Sequence, residues 1–266
     1  MIQIDIELCY KVLMEAIDKA SEMVLKGFET TKTVELKSAS CDLVTEFDRN
    51  TELLLIQTLS QAFPDHKFIG EETTGRIKLT EQPTWIIDPI DGTTNFVHGY
   101  PHCAISVGLS VDKVIIIGAV CNPIMKQQFT AIKGRGSFLN GVKLSTSKVE
   151  ELKEALVGLE ISIGAFPGLA ELFTKRYRSC IPRVQGIRSL GSAQLSLCMV
   201  ASGVWDAYHV EYLYPWDMAA GSLIITEAGG SVLDVDGSNF DVEYGRCIAA
   251  GTESLARKLV EVFRVD

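Results

Sequence analysis

Apolar residues recur at helical spacing near the start of the chain. Leu8, Val12, Ala16, Ala20, Met23 and Val24 fall on one stripe, which predicts a helix over residues 7–27 with Gly27 as its stop. A second helix is predicted over residues 51–62, where Leu54, Leu55, Thr58 and Leu59 share a face and Pro64 ends the run. The pattern then changes to short apolar runs. Residues 67–70, 84–88, 104–110, 114–122 and 128–133 read as strands, with Asp112-Lys113 as a hairpin turn. Gly134, Gly136 and Asn140-Gly141 punctuate the following loops. The second half alternates: strand 156–160, helix 169–177, helix 192–201, strand 205–210, helix 217–228 closed by Gly229-Gly230, strand 231–234 and a terminal helix from about residue 253. No repeat or long linker interrupts it. A single α+β unit over residues 1–266 is expected, with a soft subdomain boundary near residues 141–150.

Composition narrows the function classes. Hydrophobic residues make up 47% of the 266 and charged residues 22%, the proportions of a globular protein that buries a core. The longest apolar runs are strand-sized, so no membrane span is expected. The N-terminus lacks the basic start and apolar run of a signal peptide, so a cytoplasmic location is expected. The seven cysteines form no C-x-x-C pair and read as small buried hydrophobes, without a disulfide framework or zinc site. A net charge of −9 speaks against nucleic-acid binding. It fits a phosphate-binding enzyme only if some carboxylates hold cations, which reverse the local sign.

The densest chemistry lies in Trp85-Ile86-Ile87-Asp88-Pro89-Ile90-Asp91-Gly92-Thr93-Thr94-Asn95-Phe96. An apolar strand ends on Asp88. Pro89 cannot continue a central ladder and predicts a turn there. Asp91 is placed to cap a following helix, and Gly92 lets the backbone approach a ligand. Thr93 and Thr94 add hydroxyls beside the N–H groups of that helix start, a ready anion site. Two carboxylates three residues apart on such a turn are hard oxygen ligands suited to Mg²⁺. Further acids stand at element ends: Glu71-Glu72 after the strand 67–70, Asp217 after Pro215-Trp216, and Asp42 and Asp48 before the second helix. Alone, each reads more readily as a cap or a solvated loop than as a ligand.

Other chemistries lack a pattern. His66, His98, His102 and His209 form no metal-ligand spacing. Ser192 lacks the G-x-S-x-G elbow, and no dinucleotide or Walker fingerprint is complete.

Taken together, Gly70-Glu71-Glu72, the string from Trp85 to Phe96, Trp216-Asp217, Glu227-Ala228-Gly229-Gly230, and Asp42-Leu43-Val44-Thr45 with Asp48 resemble the inositol monophosphatase family. The resemblance runs from about Lys37 to the C-terminus. It implies a layered αβαβα fold, shared with fructose bisphosphatase-type proteins, usually a homodimer, with magnesium dependence at two or three ions per subunit and lithium sensitivity. It implies that Glu71, Asp88 and the Ile90 carbonyl hold one metal, and Asp88, Asp91 and Asp217 a second. It implies that Thr93, with Asp48 and Glu71, positions the attacking water, and that the N–H groups of Gly92 and Thr93 cradle the phosphate. Gly191, Ser192 and Ala193 match a segment lining the sugar side, with Asp91 and Asp217 beside it. The family's substrate-contacting glutamate corresponds to Val210, so Glu211 next to it is the candidate contact. A metal-assisted phosphatase acting on inositol monophosphate is therefore expected. The alternatives are a sibling phosphatase for a nucleotide 3′-phosphate, a sugar bisphosphate or histidinol phosphate, and a non-catalytic metal- or phosphate-binding module. The last needs the turn but not Asp48, Glu71 and Thr93.

Overall fold

A computed structural model describes residues 4–37, 43–75 and 77–264. Asp42, part of the N-terminal motif, lies outside the described residues.

The chain begins with α1 (Ile6–Phe28), capped by Asp5, whose carboxylate accepts the Leu8 N–H. The two strands β1 (Val34–Leu36) and β2 (Leu43–Thr45) pair antiparallel. Next, α2 (Glu46–Ala62) starts five residues earlier than the apolar stripe predicts. A local device decides this. Thr45 Oγ1 accepts the Phe47 N–H, and Asp48 reaches back to the Thr45 N–H at 2.8 Å, so the orphan donors of the first turn are satisfied at Thr45.

Seven strands form the first sheet in sequence order: β3 (Lys67–Gly70), β4 (Thr84–Asp91), β5 (Ala104–Val111), β6 (Val114–Asn122), β7 (Gln127–Ile132), β8 (Ser137–Leu139) and β9 (Val142–Lys143). Between β4 and β5 runs α3 (Thr93–His98). β3 and β4 are parallel; every later pair is antiparallel. Asp112 and Lys113 take φ of 50° and 63°, the mirror-turn geometry that matches strand twist.

The second sheet has the order β11-β10-β12-β14-β13, built from β10 (Leu156–Leu159), β11 (Gly186–Arg188), β12 (Ala207–Val210), β13 (Ser231–Leu233) and β14 (Cys247–Ala250). Its helices are α4 (Ala170–Cys180), α5 (Ala193–Ala201), α6 (Ala219–Glu227) and α7 (Glu253–Phe263). The predicted helix 217–228 is thus shorter. Pro215–Asp217 forms a separate 3₁₀ turn, and the α-helix begins at Ala219.

Burial alternation builds five layers. On β4, Trp85 and Ile87 face α1 and α2 and pack with Leu13, Ile17, Leu55 and Leu59, while Ile86 faces the opposite side. There it meets α5 and α6, which are buried along most of their length between the two sheets. Tyr208 and Ala249 of the second sheet close that inner core. Ala207, Ile248 and Ala250 face outward to Leu255, Leu259 and Phe263 of α7. The order is helix, sheet, helix, sheet, helix, as expected. Six cysteines among the described residues are buried and unpaired. No helix among the described residues is long and apolar enough to cross a membrane.

Candidate active site

β4 does not end at Pro89. Asp88 pairs with Ser106, yet the next pairing joins Asp91 to Ala104, so β4 spends one residue more than β5. This is a bulge, and Pro89 with its missing N–H sits inside it. The bulge has a chemical consequence. Residues an odd number apart on a regular strand face opposite sides, and one extra residue brings them to the same side. Asp88 and Asp91 therefore converge, and together with Asp217 place carboxylate oxygens within 4.8 Å of one another.

Asp91 does not cap the helix that follows it, as the string predicts. Gly92 holds that position, with no side-chain cap. Asp91 instead reaches α5, accepting the Ser192 hydroxyl and the Ala193 and Gln194 N–H groups, the last at 2.7 Å. A carboxylate at this helix start satisfies orphan donors and complements the dipole. Gly191, Ser192 and Ala193 are thereby brought against the turn. Gly92 has φ +87°, and a Cβ there would lie 2.9 Å from the carbonyls of Gly191 and His102, so only glycine fits.

Asp217 closes its 3₁₀ turn by accepting the Tyr214 N–H at 2.7 Å. Asp88 Oδ1 accepts the Ile90 N–H. The Ile90 carbonyl lies 3.1 Å from the Thr93 hydroxyl, which is also 3.1 Å from Asp48 Oδ1. Glu71 follows directly on β3. Its carboxylate bonds Lys37 Nζ at 2.8 Å and is close enough to Asp88 to raise the latter's pKa.

The electrostatics fit a cation site. Burial pushes Glu71 up to about 7, Asp48 up to about 6 and Asp91 up to about 6, although Lys37, Thr45 and Ser192 respectively act against it. Burial first, and then neighbouring carboxylates, hold Asp88 and Asp217 well above the usual range. Lys37 offsets only part of this negative charge, and the donors are hard oxygens of the kind Mg²⁺ takes. A stability effect follows. Groups raised on folding bind protons more tightly when folded. Their contribution is present below the ordinary carboxylate pKa near 4 and is lost as pH rises through about 6 to 7. The melting temperature of the metal-free protein should carry this loss, and Mg²⁺ should raise it more at pH 8 than at pH 5. An equal Mg²⁺ shift at both values would contradict a carboxylate cation site.

Glu211 has a different placement. Its Oε1 accepts from Arg176 of α4 and lies 2.9 Å from His209 Nε2, outside the three-carboxylate cluster. Val210 beside it is wholly buried.

Four supporting residues were missed in the sequence. Buried Glu160, just after β10, holds Ser162, Ser189 and the Gly191 N–H. Its signal resembles that of Asp88: an acid directly after an apolar strand. Asn95 donates to the carbonyls of His102 and Leu190, tying the turn to the approach of α5. Gln194 joins the Trp216 carbonyl to the Gly221 N–H; a lone amide in an apolar helix was its sign. Glu52 accepts from the Glu72 N–H and the Thr73 hydroxyl, fixing the loop after Glu71.

Comparison with known proteins accords with this geometry. The model of the "Inositol monophosphatase family" matches residues 5–265. "Inositol monophosphatase 2" of Solanum lycopersicum is 47% identical over 90% of this chain and 91% of that protein. "Inositol monophosphatase 1" of Homo sapiens is 39% identical over 97% and 94%. The crystal structure of extragenic suppressor protein suhB from Bartonella henselae superposes with a TM-score of 0.89 at 33% identity, covering 96% of this chain and 98% of that one. A match along nearly the whole length, in sequence and in fold, shows that the chain belongs to the inositol monophosphatase family.

Proposed function

We propose that the protein hydrolyses a small phosphate monoester, foremost myo-inositol monophosphate, with Mg²⁺ as cofactor. The observation that carries this is the convergence of Asp88, Asp91 and Asp217 beside Thr93 and Asp48. Glu71, Asp88, Asp91, Asp217 and the Ile90 carbonyl would hold the cations, two or three per subunit. When bound, Mg²⁺ supplies Lewis acidity, eases deprotonation of water near neutral pH and offsets phosphate charge.

The chain's own groups do the positioning. Asp48 Oδ2 is committed to the Thr45 N–H and hydroxyl, which leaves Oδ1 to accept from Thr93. With its hydrogen held there, Thr93 Oγ1 presents lone pairs to the attacking water. A proton leaving that water passes to Thr93 Oγ1 as the hydroxyl proton passes to Asp48. Asp48, pushed up to about 6, is suited to receive it near neutrality. The N–H groups of Gly92 and Thr93 would hold the phosphate. The segment Gly191 to Ala193, anchored by Asp91 and Glu160, borders the alcohol side, where Glu211 is the further candidate contact. The names of the relatives support the inositol ester over the sibling substrates and the non-catalytic module. The same reading includes lithium sensitivity, a homodimer, a single catalytic unit and a cytoplasmic location.

Release of inorganic phosphate from a substrate panel tests it. myo-Inositol 1-phosphate should give the highest kcat/KM among that ester, histidinol phosphate, a sugar bisphosphate and a nucleotide 3′-phosphate. A panel in which the inositol ester ranks last would overturn the substrate assignment.

A further inference from the structure

Glu71 is weakly supported by the sheet it belongs to. It follows β3, the edge strand, which is four residues long and pairs within the sheet with β4 alone. Its own tie there is the N–H bonded to the Ile87 carbonyl at 3.2 Å. The neighbouring acids work against this placement. Asp48 and Glu72 repel Glu71, and Glu71 in turn repels Asp88. Lys37 reaches the carboxylate itself, but the chain that carries it needs a separate hold.

That hold comes from α2. Glu52 is wholly buried and stands one turn after Asp48 on the same helix face. Its Oε2 accepts the Glu72 N–H at 2.8 Å, and its Oε1 accepts the Thr73 hydroxyl at 2.5 Å. A buried carboxylate is costly unless its oxygens find donors, and both donors here belong to the residues that follow Glu71. The same carboxylate presses on the residue before Glu71. A Cβ on Gly70 would lie 2.5 Å from it, so only glycine admits Glu52. Gly70 is fixed in turn by Thr74, whose hydroxyl accepts the Gly70 N–H at 2.8 Å. Glu52 therefore touches the chain on both sides of Glu71. Asp48, one turn earlier, bonds the Thr93 hydroxyl, so one face of α2 sets the spacing between the Thr93 turn and the Glu71 loop.

We propose that Glu52 is a positioning residue for the cation site: by holding the chain on both sides of Glu71 it keeps that carboxylate against Asp88 and sets the affinity for Mg²⁺. The inference rests on the reading of Glu71 as a cation ligand given above. Both Glu52 oxygens are committed to Glu72 and Thr73, so Glu52 acts on the cation through Glu71 and not as a ligand. Groups that orient a metal ligand from behind commonly carry about 10- to 100-fold of the metal affinity.

Calorimetric titration of the chelator-stripped protein with Mg²⁺, without substrate, tests this. Glu52→Ala should weaken Mg²⁺ binding by about tenfold or more, while kcat at saturating Mg²⁺ stays near the wild-type value. Thr73→Ala removes one of the two bonds from an exposed residue, so it should fold and weaken Mg²⁺ in the same direction by less. Glu52→Gln separates position from charge. Its amide oxygen can accept the Glu72 N–H while its NH₂ donates to the Thr73 hydroxyl, so its affinity should stay near the wild-type value. A purely structural Glu52 would lower the melting temperature of the metal-free variants and leave Mg²⁺ affinity unchanged. Unchanged affinity in Thr73→Ala and in any folded Glu52→Ala would overturn the positioning role. So would Glu52→Gln binding more weakly than Thr73→Ala. If the wild type binds Mg²⁺ and releases phosphate while these variants match it, only this inference falls. If the wild type neither binds Mg²⁺ nor releases phosphate from myo-inositol 1-phosphate, the cation reading of Glu71 falls and the inference with it.

Discussion

Asp88→Asn should lower kcat by roughly 10³-fold or more, the equivalent of about 4 kcal/mol of lost transition-state stabilisation. Asp88 lies at the centre of the cluster, pressed by Glu71, Asp91 and Asp217 as well as by burial. An amide keeps the shape, and its oxygen still accepts the Ile90 N–H that Asp88 accepts now. It removes the negative charge that a cation needs. The variant should therefore fold, and its metal-free form should melt higher than the wild type because one source of repulsion is gone. Its Mg²⁺-induced melting shift should shrink. Calorimetry with and without Mg²⁺, beside steady-state kinetics, reads both. Wild-type turnover in Asp88→Asn would remove Asp88 from the metal site.

Thr93→Ala should lower kcat by roughly 10²-fold, the usual scale of a positioned proton-transfer group. KM should change little, since the main chain of the Gly92-Thr93 turn is untouched. The hydroxyl lies between Asp48 Oδ1 and the Ile90 carbonyl, so it links α2 to the strand end that carries the carboxylates. The alternative role is structural. Loss of the one hydrogen bond that the hydroxyl donates would then lower stability by about 1 kcal/mol and leave kcat intact. Thr93→Ser separates the two: it restores the hydroxyl and should recover most of the rate. A melting shift with unchanged kcat would return Thr93 to a purely structural part.

What was legible in the sequence follows the range of the interaction. Trp85-Ile86-Ile87-Asp88 showed itself because a buried strand needs alternate faces filled and then stops at a charge. The hairpin at Asp112-Lys113 is equally local. The bulge at Pro89 was read as a turn, because the missing N–H of proline serves either outcome, and only pairing with Ser106 and Ala104 distinguishes them. The partner of Asp91 lies on α5, 102 residues away at Ala193, beyond any local rule of capping. The strand Cys247–Ala250 was missed because four consecutive apolar residues carry no period, yet it pairs on both sides in the second sheet. Glu211 is decided by Arg176, on a helix 35 residues earlier. Sequence patterning reaches the elements and the acids that end them. Which acids meet is set by the packing of α5 and the 3₁₀ turn against the bulged strand.

The most direct measurement is phosphate release from myo-inositol 1-phosphate by protein stripped with a chelator, followed by titration with Mg²⁺ and, separately, Ca²⁺. Without a cation, the clustered carboxylates repel a phosphate and nothing there offsets its charge, so the stripped protein should release no phosphate. Mg²⁺ should restore activity. Ca²⁺ should not, because its larger and looser coordination fits a site for octahedral Mg²⁺ poorly. Full activity in the chelator, or none after Mg²⁺ is returned to folded protein, would contradict the account.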